Sequence, residues 1–146
     1  MNYLTTNTSE EEQGGLHNQT ARRKRILVVD DESDICMVYQ MVLHDAGFEC
    51  ISYIDPVKAL KEFRSNYYDL ILLDIKMPVL NGFELCKKMR ELDKSIQLIF
   101  TTAGGEYREE IGRQSYRESN NKFIYIQKPI GNEELAQIVK FHISNN

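Results

Sequence analysis

An α/β domain built on a doubly wound, five-stranded parallel sheet is the fold this sequence predicts. Three observations carry the prediction. Apolar runs alternate with helix-period segments five times along the chain. The runs are continuous, as in Ile26–Val29 and Leu70–Leu73, so the strands call for helices on both faces of the sheet. Turn and cap residues fall at the joints, among them Gly47, Asp55-Pro56, Pro78 and Gly82.

Residues 1–24 are polar and aperiodic and read as a flexible tail, with a single domain over residues 25–146. The basic cluster Arg22 to Arg25 reads as a solvated lead-in to the first strand, Ile26–Val29. Ser33 is the expected N-cap of a helix whose stripe is Ile35, Val38, Val42 and Ala46, closed by Gly47. Phe48–Tyr53 is the second strand. Asp55 caps the next helix with Pro56 at its first position, and Val57, Leu60 and Phe63 form its inner stripe. Asp69–Asp74 is the third strand. The following helix runs through Phe83, Leu85, Cys86, Met89 and Leu92, and the fourth strand covers Ile96–Thr101, closed by Thr102. Glu106–Glu118 is polar and weakly amphipathic, with Tyr107, Ile111 and Tyr116 as its main apolar residues, so a short or unusually packed fourth helix is expected. Lys122–Gln127 is the fifth strand, and Asn132–Ile143 the last helix, with Leu135, Ile138 and Val139 inward.

Composition sets further bounds. A chain of 146 residues buries roughly two thirds of its unfolded surface and needs no disulfide staple. With 42% apolar and 27% charged residues it reads as a soluble globular protein. The net charge of −4 argues against direct nucleic-acid binding, which wants a basic face. No apolar run approaches the roughly 18 residues of a membrane span and no signal peptide opens the chain, so a cytoplasmic location is expected. Cys36, Cys50 and Cys86 are odd in number and scattered, which suits buried reduced thiols better than a disulfide or a metal site.

The chemistry-bearing residues lie at strand ends. Asp30 and Asp31 follow the first strand and Asp74 ends the third. In the strand order 2-1-3-4-5 those two strands are neighbours at the switch point, where such sheets bind ligands beyond the carboxyl ends of their strands. Two unit charges about 4 Å apart repel by roughly 4 kcal/mol at an effective dielectric of 20, so the acids require a proton or a cation. An all-oxygen set with room for water and phosphate suits Mg²⁺. Thr102 and Lys128 end the fourth and fifth strands on the same edge. Asp74, alone on the central strand, is the candidate nucleophile toward a phosphoryl group. Lys128 and the Thr102 hydroxyl would stabilise the transferring oxygens.

The motifs VVDDE, LLDIKMP with NG, TTA and QKP, in this order, resemble the receiver domain of two-component response regulators over residues 25 to about 143. The resemblance implies a flavodoxin-like fold and a phosphoacceptor at Asp74, charged by a histidine kinase or phosphotransfer protein. It implies Mg²⁺ held by Asp31, Asp74 and the Lys76 backbone carbonyl, with Asp30 contacting it through water. It makes Thr102, ahead of Thr101, the hydroxyl switch and Tyr125 the aromatic switch, and it puts Pro129 in a cis peptide. Self-catalysed phosphorylation and dephosphorylation without turnover is expected, with the dephosphorylation tuned by Lys76 and Gly104. The chain ends soon after the last helix, which suggests a stand-alone receiver, with an unknown downstream protein as partner and a homodimer possible. Two rival readings are a haloacid-dehalogenase-like phosphatase and a flavodoxin-like flavin carrier. The first wants acids two apart on strand one, and the second wants a phosphate-cradling loop where the aspartates stand.

Overall fold

The computed structural model describes residues 22–104 and 123–145. The polar tail up to residue 21, the Glu106–Glu118 segment and Lys122 lie outside the described residues. Five strands form one sheet: β1 (Arg25–Val29), β2 (Glu49–Tyr53), β3 (Leu70–Asp74), β4 (Leu98–Thr102) and β5 (Ile124–Gln127). All pairings are parallel, in the order β2-β1-β3-β4-β5. Four helices are described: α1 (Ser33–Asp45), α2 (Pro56–Lys61), α3 (Gly82–Leu92) and α4 (Asn132–Ser144).

Side chains alternate across each strand, so the continuous apolar runs feed two cores. Leu27, Val29, Ile71, Leu73 and Phe100 face Ala59, Leu85 and Met89, under α2 and α3. Ile26, Val28, Leu70, Leu72 and Ile99 face Cys36, Tyr39, Leu43, Leu135 and Val139, under α1 and α4. The central strand β3 is buried along its whole length, whereas β2, the edge strand among the described residues, is only half-buried.

The helix ends follow local chemistry. Gly47 has φ +97°, its N–H donates to the His44 carbonyl, and the Phe48 N–H donates to the Leu43 carbonyl. These two bonds close α1 in a left-handed cap, with Phe48 and Leu43 both buried beside it. The Asp55 carboxylate accepts from the Val57 and Lys58 N–H groups, with Pro56 at the first position of α2. Asn81 caps α3 by accepting the Glu84 N–H at 2.9 Å.

Several sequence expectations shift. Ser33 is the first residue of α1 and not its cap. Glu32 takes that place because the Asp30 carboxylate binds the Glu32 N–H and tightens the turn. The α1 stripe turns by one position: Cys36, Tyr39 and Leu43 are buried, Ile35, Val42 and Ala46 flank them, and Val38 faces outward. The phase is set by packing against the sheet and α4, which the helical period cannot fix. Val57 and Leu92 are likewise exposed, at the outer edges of α2 and α3. Cys50 is half-buried on β2, while Cys36 and Cys86 are buried, and none of the three is in a disulfide.

The basic lead-in is partly committed rather than solvated. Arg22 pairs with Asp69 at 3.1 Å, and the Arg25 N–H donates to the same carboxylate at 2.7 Å. Arg25 also bonds Glu49 at 3.1 Å and lies over the Tyr67 ring. The cause is register: the Asp69 N–H donates to the Arg25 carbonyl, so the starts of β1 and β3 lie side by side.

Candidate functional site

Register brings the acids together. Val29 pairs with Leu73, so the next residues on the two strands, Asp30 and Asp74, emerge side by side. Asp74 in turn pairs with Thr101, and Thr102 with Gln127, which leads directly into Lys128. The Lys128 N–H donates to the Thr102 carbonyl at 2.8 Å and extends that pairing by one residue. Four consecutive neighbours in the sheet thus deliver an acid, an acid, a hydroxyl and an ammonium to one rim.

Asp30 is buried and bonded through both of its oxygens. One carboxylate oxygen accepts the Glu32 N–H at 2.9 Å, and the other accepts the Lys128 ammonium at 2.8 Å. Lys128 also lies 3.4 Å from Asp74 Oδ1, so its Nζ bridges the two acids. Asp31 is exposed at the mouth. Carboxylate oxygens of Asp30, Asp31 and Asp74 all lie within 4.8 Å of one another. This set contains neither sulfur nor imidazole, the composition that a hard, oxygen-seeking cation prefers.

Electrostatics follow from burial. Asp74 is 4% exposed, and burial followed by the Asp30 charge pushes its carboxyl up to about 7, against the pull of Lys128. Burial alone would lower the Lys128 ammonium, but the hydrogen bond and charge of Asp30, then Asp74, outweigh it and raise its pKa. The pair of shifts describes one balance: two carboxylates share one ammonium and remain a charge short of neutrality.

The other predicted residues take these positions. Thr102 is buried, and its hydroxyl donates to the Gly104 carbonyl at 3.2 Å. The Thr101 hydroxyl donates instead to the Leu73 carbonyl at 3.5 Å, away from the acids. Tyr125 is half-buried, with its ring stacked on Phe100 at 5.5 Å. Lys76 is exposed, two residues past Asp74. The Lys128–Pro129 peptide is cis.

Two contributors escape a reading of the sequence. Gly82 presses its backbone onto the end of β3: a Cβ there would stand 2.4 Å from the Asp74 carbonyl oxygen. Its N–H donates to the Ile75 carbonyl at 2.8 Å, folding the loop back over the site. The Cys36 thiol donates to the Asp30 carbonyl at 3.2 Å, and burial pushes that thiol up to about 11. A hollow of about 580 Å³ opens at the opposite end of the sheet, beside Lys24, Asp69, Arg90 and Asp93, and none of the predicted site residues line it.

A parallel α/β sheet with clustered aspartates and a bridging lysine at its switch point defines a class of signalling module. Residues 26–140 match the response regulator receiver domain family, and the chain belongs to it, as a receiver of two-component signal transduction. It is 33% identical over 118 residues to the alkaline phosphatase synthesis transcriptional regulatory protein PhoP of Bacillus subtilis, covering 80% of this chain and 47% of that protein. It is 32% identical over 116 residues to response regulator ArlR of Staphylococcus aureus, covering 80% and 51%. The chain therefore spans about half the length of these curated relatives. Among solved structures, response regulator TrrA of Thermotoga maritima, determined in complex with Mg²⁺-BeF, is 36% identical with a TM-score of 0.68, covering 81% of this chain and 97% of that one. A CheY-like receiver domain protein from Methanospirillum hungatei has a TM-score of 0.70 at 24% identity, over 85% and 96%, a likeness of fold. Among the described residues no helix is long and apolar enough to cross a membrane.

Proposed function

We propose that Asp74 accepts a phosphoryl group from the phosphohistidine of a histidine kinase or phosphotransfer protein. The observation that carries this reading is the Lys128 ammonium bridging Asp30 and Asp74, at 2.8 and 3.4 Å, above three clustered carboxylates. An Asp74 carboxylate oxygen forms the new P–O bond as the donor's P–N bond breaks, and the imidazole nitrogen leaves with the electron pair. Lys128 shifts from the carboxylates to the arriving phosphoryl oxygens, and the Thr102 hydroxyl exchanges the Gly104 carbonyl for one of them. Asp31, Asp74 and the Lys76 carbonyl would hold Mg²⁺, with Asp30 reaching it through water. When bound, the ion would supply the positive charge that lets a carboxylate and a phosphoryl group approach.

The same reading makes this a phosphoacceptor that catalyses its own phosphorylation and dephosphorylation, with no separate substrate turned over. Thr102 moving toward the phosphoryl group and Tyr125 turning inward would pass the change to a downstream protein. A cytoplasmic setting belongs to the proposal and is supported by three cysteines outside any disulfide.

Intact-mass measurement with acetyl phosphate and magnesium tests it on the wild type and Asp74→Asn. One phosphoryl group gained by the wild type alone is the expected result. A gain that persists in Asp74→Asn, or no gain by the wild type, refutes the assignment.

A further inference from the structure

The loop from Ile75 to Gly82 contains a residue that its own fold does not explain. Val79 has φ +72°, and the Leu80 N–H donates to the Pro78 carbonyl at 2.8 Å across it. This is a three-residue turn of the strained hand, centred on a β-branched side chain, the residue type least suited to a left-handed backbone. Glycine would adopt it freely, and asparagine or aspartate at little cost.

The loop leaves Val79 no alternative. Met77 and Leu80 on either side are buried in the core under α3. Two residues further on, Gly82 is clamped between the Ile75 carbonyl and the Asp74 backbone. With both ends seated, the chain crosses in one tight turn and the valine points outward. It is 88% exposed, the most exposed large apolar side chain among the described residues. Valine here therefore neither suits the backbone nor fills space inside the protein. Strain of this kind persists where the exposed group serves a contact outside the fold.

The position of the loop says which contact. It leaves directly from Asp74 and folds back onto the Asp74 carbonyl, so it forms a rim of the site. Asp74 itself is nearly buried, so a protein delivering a phosphoryl group must press down against that rim. We propose that Val79 is a specificity-determining contact for the phosphodonor protein, its isopropyl group seating in an apolar recess beside the donor histidine. This rests on Asp74 being the phosphoacceptor. A small donor such as acetyl phosphate has no surface to meet Val79.

The test uses Val79→Asn, which keeps the turn and removes the apolar group, with Val79→Ile as the conservative control. The probes are acetyl phosphate and the purified cytoplasmic portions of the source organism's histidine kinases, each charged with labelled ATP. For Val79→Asn the expected results are a melting temperature at or above wild type and unchanged labelling by acetyl phosphate. Transfer from the preferred kinase should fall about tenfold or more in kcat/KM, carried by KM, and Val79→Ile should retain most of it. Wild-type transfer by Val79→Asn overturns the proposal, and so does a melting temperature well below wild type. Labelling by acetyl phosphate but by no kinase overturns it while leaving the Asp74 assignment intact. No labelling by either removes the assignment itself. A concentration-dependent dimer that Val79→Asn abolishes, with kinase transfer unaffected, would make a second copy the occupant and also overturns it.

Discussion

Replacing Gly82 with alanine tests whether the loop over Asp74 is built on backbone-to-backbone contact. The new Cβ would stand 2.4 Å from the Asp74 carbonyl oxygen and 2.9 Å from the Ile75 Cα. Carbon and oxygen meet comfortably at roughly 3.3 Å, so the loop or the end of β3 must move by roughly 0.9 Å. Neither struck atom can swing aside, because both are backbone at the end of a strand buried along its whole length. Overpacking of this kind costs about 1–3 kcal/mol. Alanine favours a helix over glycine by up to about 1 kcal/mol, and only part of that applies at the first residue of α3. The steric cost wins by about 1–2 kcal/mol, a fall of about 2–8 °C in Tm for a chain of this length. Urea denaturation followed by circular dichroism should show a lower midpoint at an unchanged slope. Labelling by acetyl phosphate, measured where the variant is still folded, should slow because Asp74 is displaced from Lys128. A variant as stable as the wild type that labels at the wild-type rate would refute the reasoning.

Two further outcomes are expected. Lys128→Met leaves the buried Asp30 and Asp74 facing each other without their shared ammonium, which should cost about 3 kcal/mol in magnesium-free buffer. Millimolar magnesium should restore part of that loss in a thermal melt, and equal loss with and without magnesium would count against a cation site at the acids. At the other end of the sheet, the Asp69 carboxyl is lowered even though burial by itself would raise it. The Arg25 N–H, then the Arg22 hydrogen bond and charge, hold it down. A depressed carboxyl adds stability above its unfolded value of 3.8, and the gain disappears as pH falls through the folded value. Asp69→Asn should therefore cost about 1 kcal/mol at pH 7 and progressively less below pH 4, read from urea midpoints across that range. A cost independent of pH would exclude the ion pair as its source.

What the sequence determined was local and periodic. Continuous runs such as Leu70–Leu73 require burial on both faces, so the strands, their parallel layering and the placement of Asp30, Asp74, Thr102 and Lys128 at strand ends were all legible. So were the caps at Gly47 and Asp55, where one residue's backbone or side-chain chemistry decides the turn. Tertiary structure decided whatever depends on a neighbour distant in the chain. Val38 faces out because the sheet and α4 set the rotation of α1, and a helical stripe several residues wide fits more than one rotation. Arg22 pairs with Asp69 because register sets the starts of β1 and β3 side by side. Asp30 is buried against Lys128 while Asp31, adjacent and chemically identical, is exposed at the mouth of the same cluster, because Asp30 is the one that meets the end of β5. The positive φ of Val79 has the same origin. Met77 and Leu80 must reach the core while Gly82 lies on the Asp74 carbonyl, and that closure condition is met in space, by residues whose identities alone do not express it.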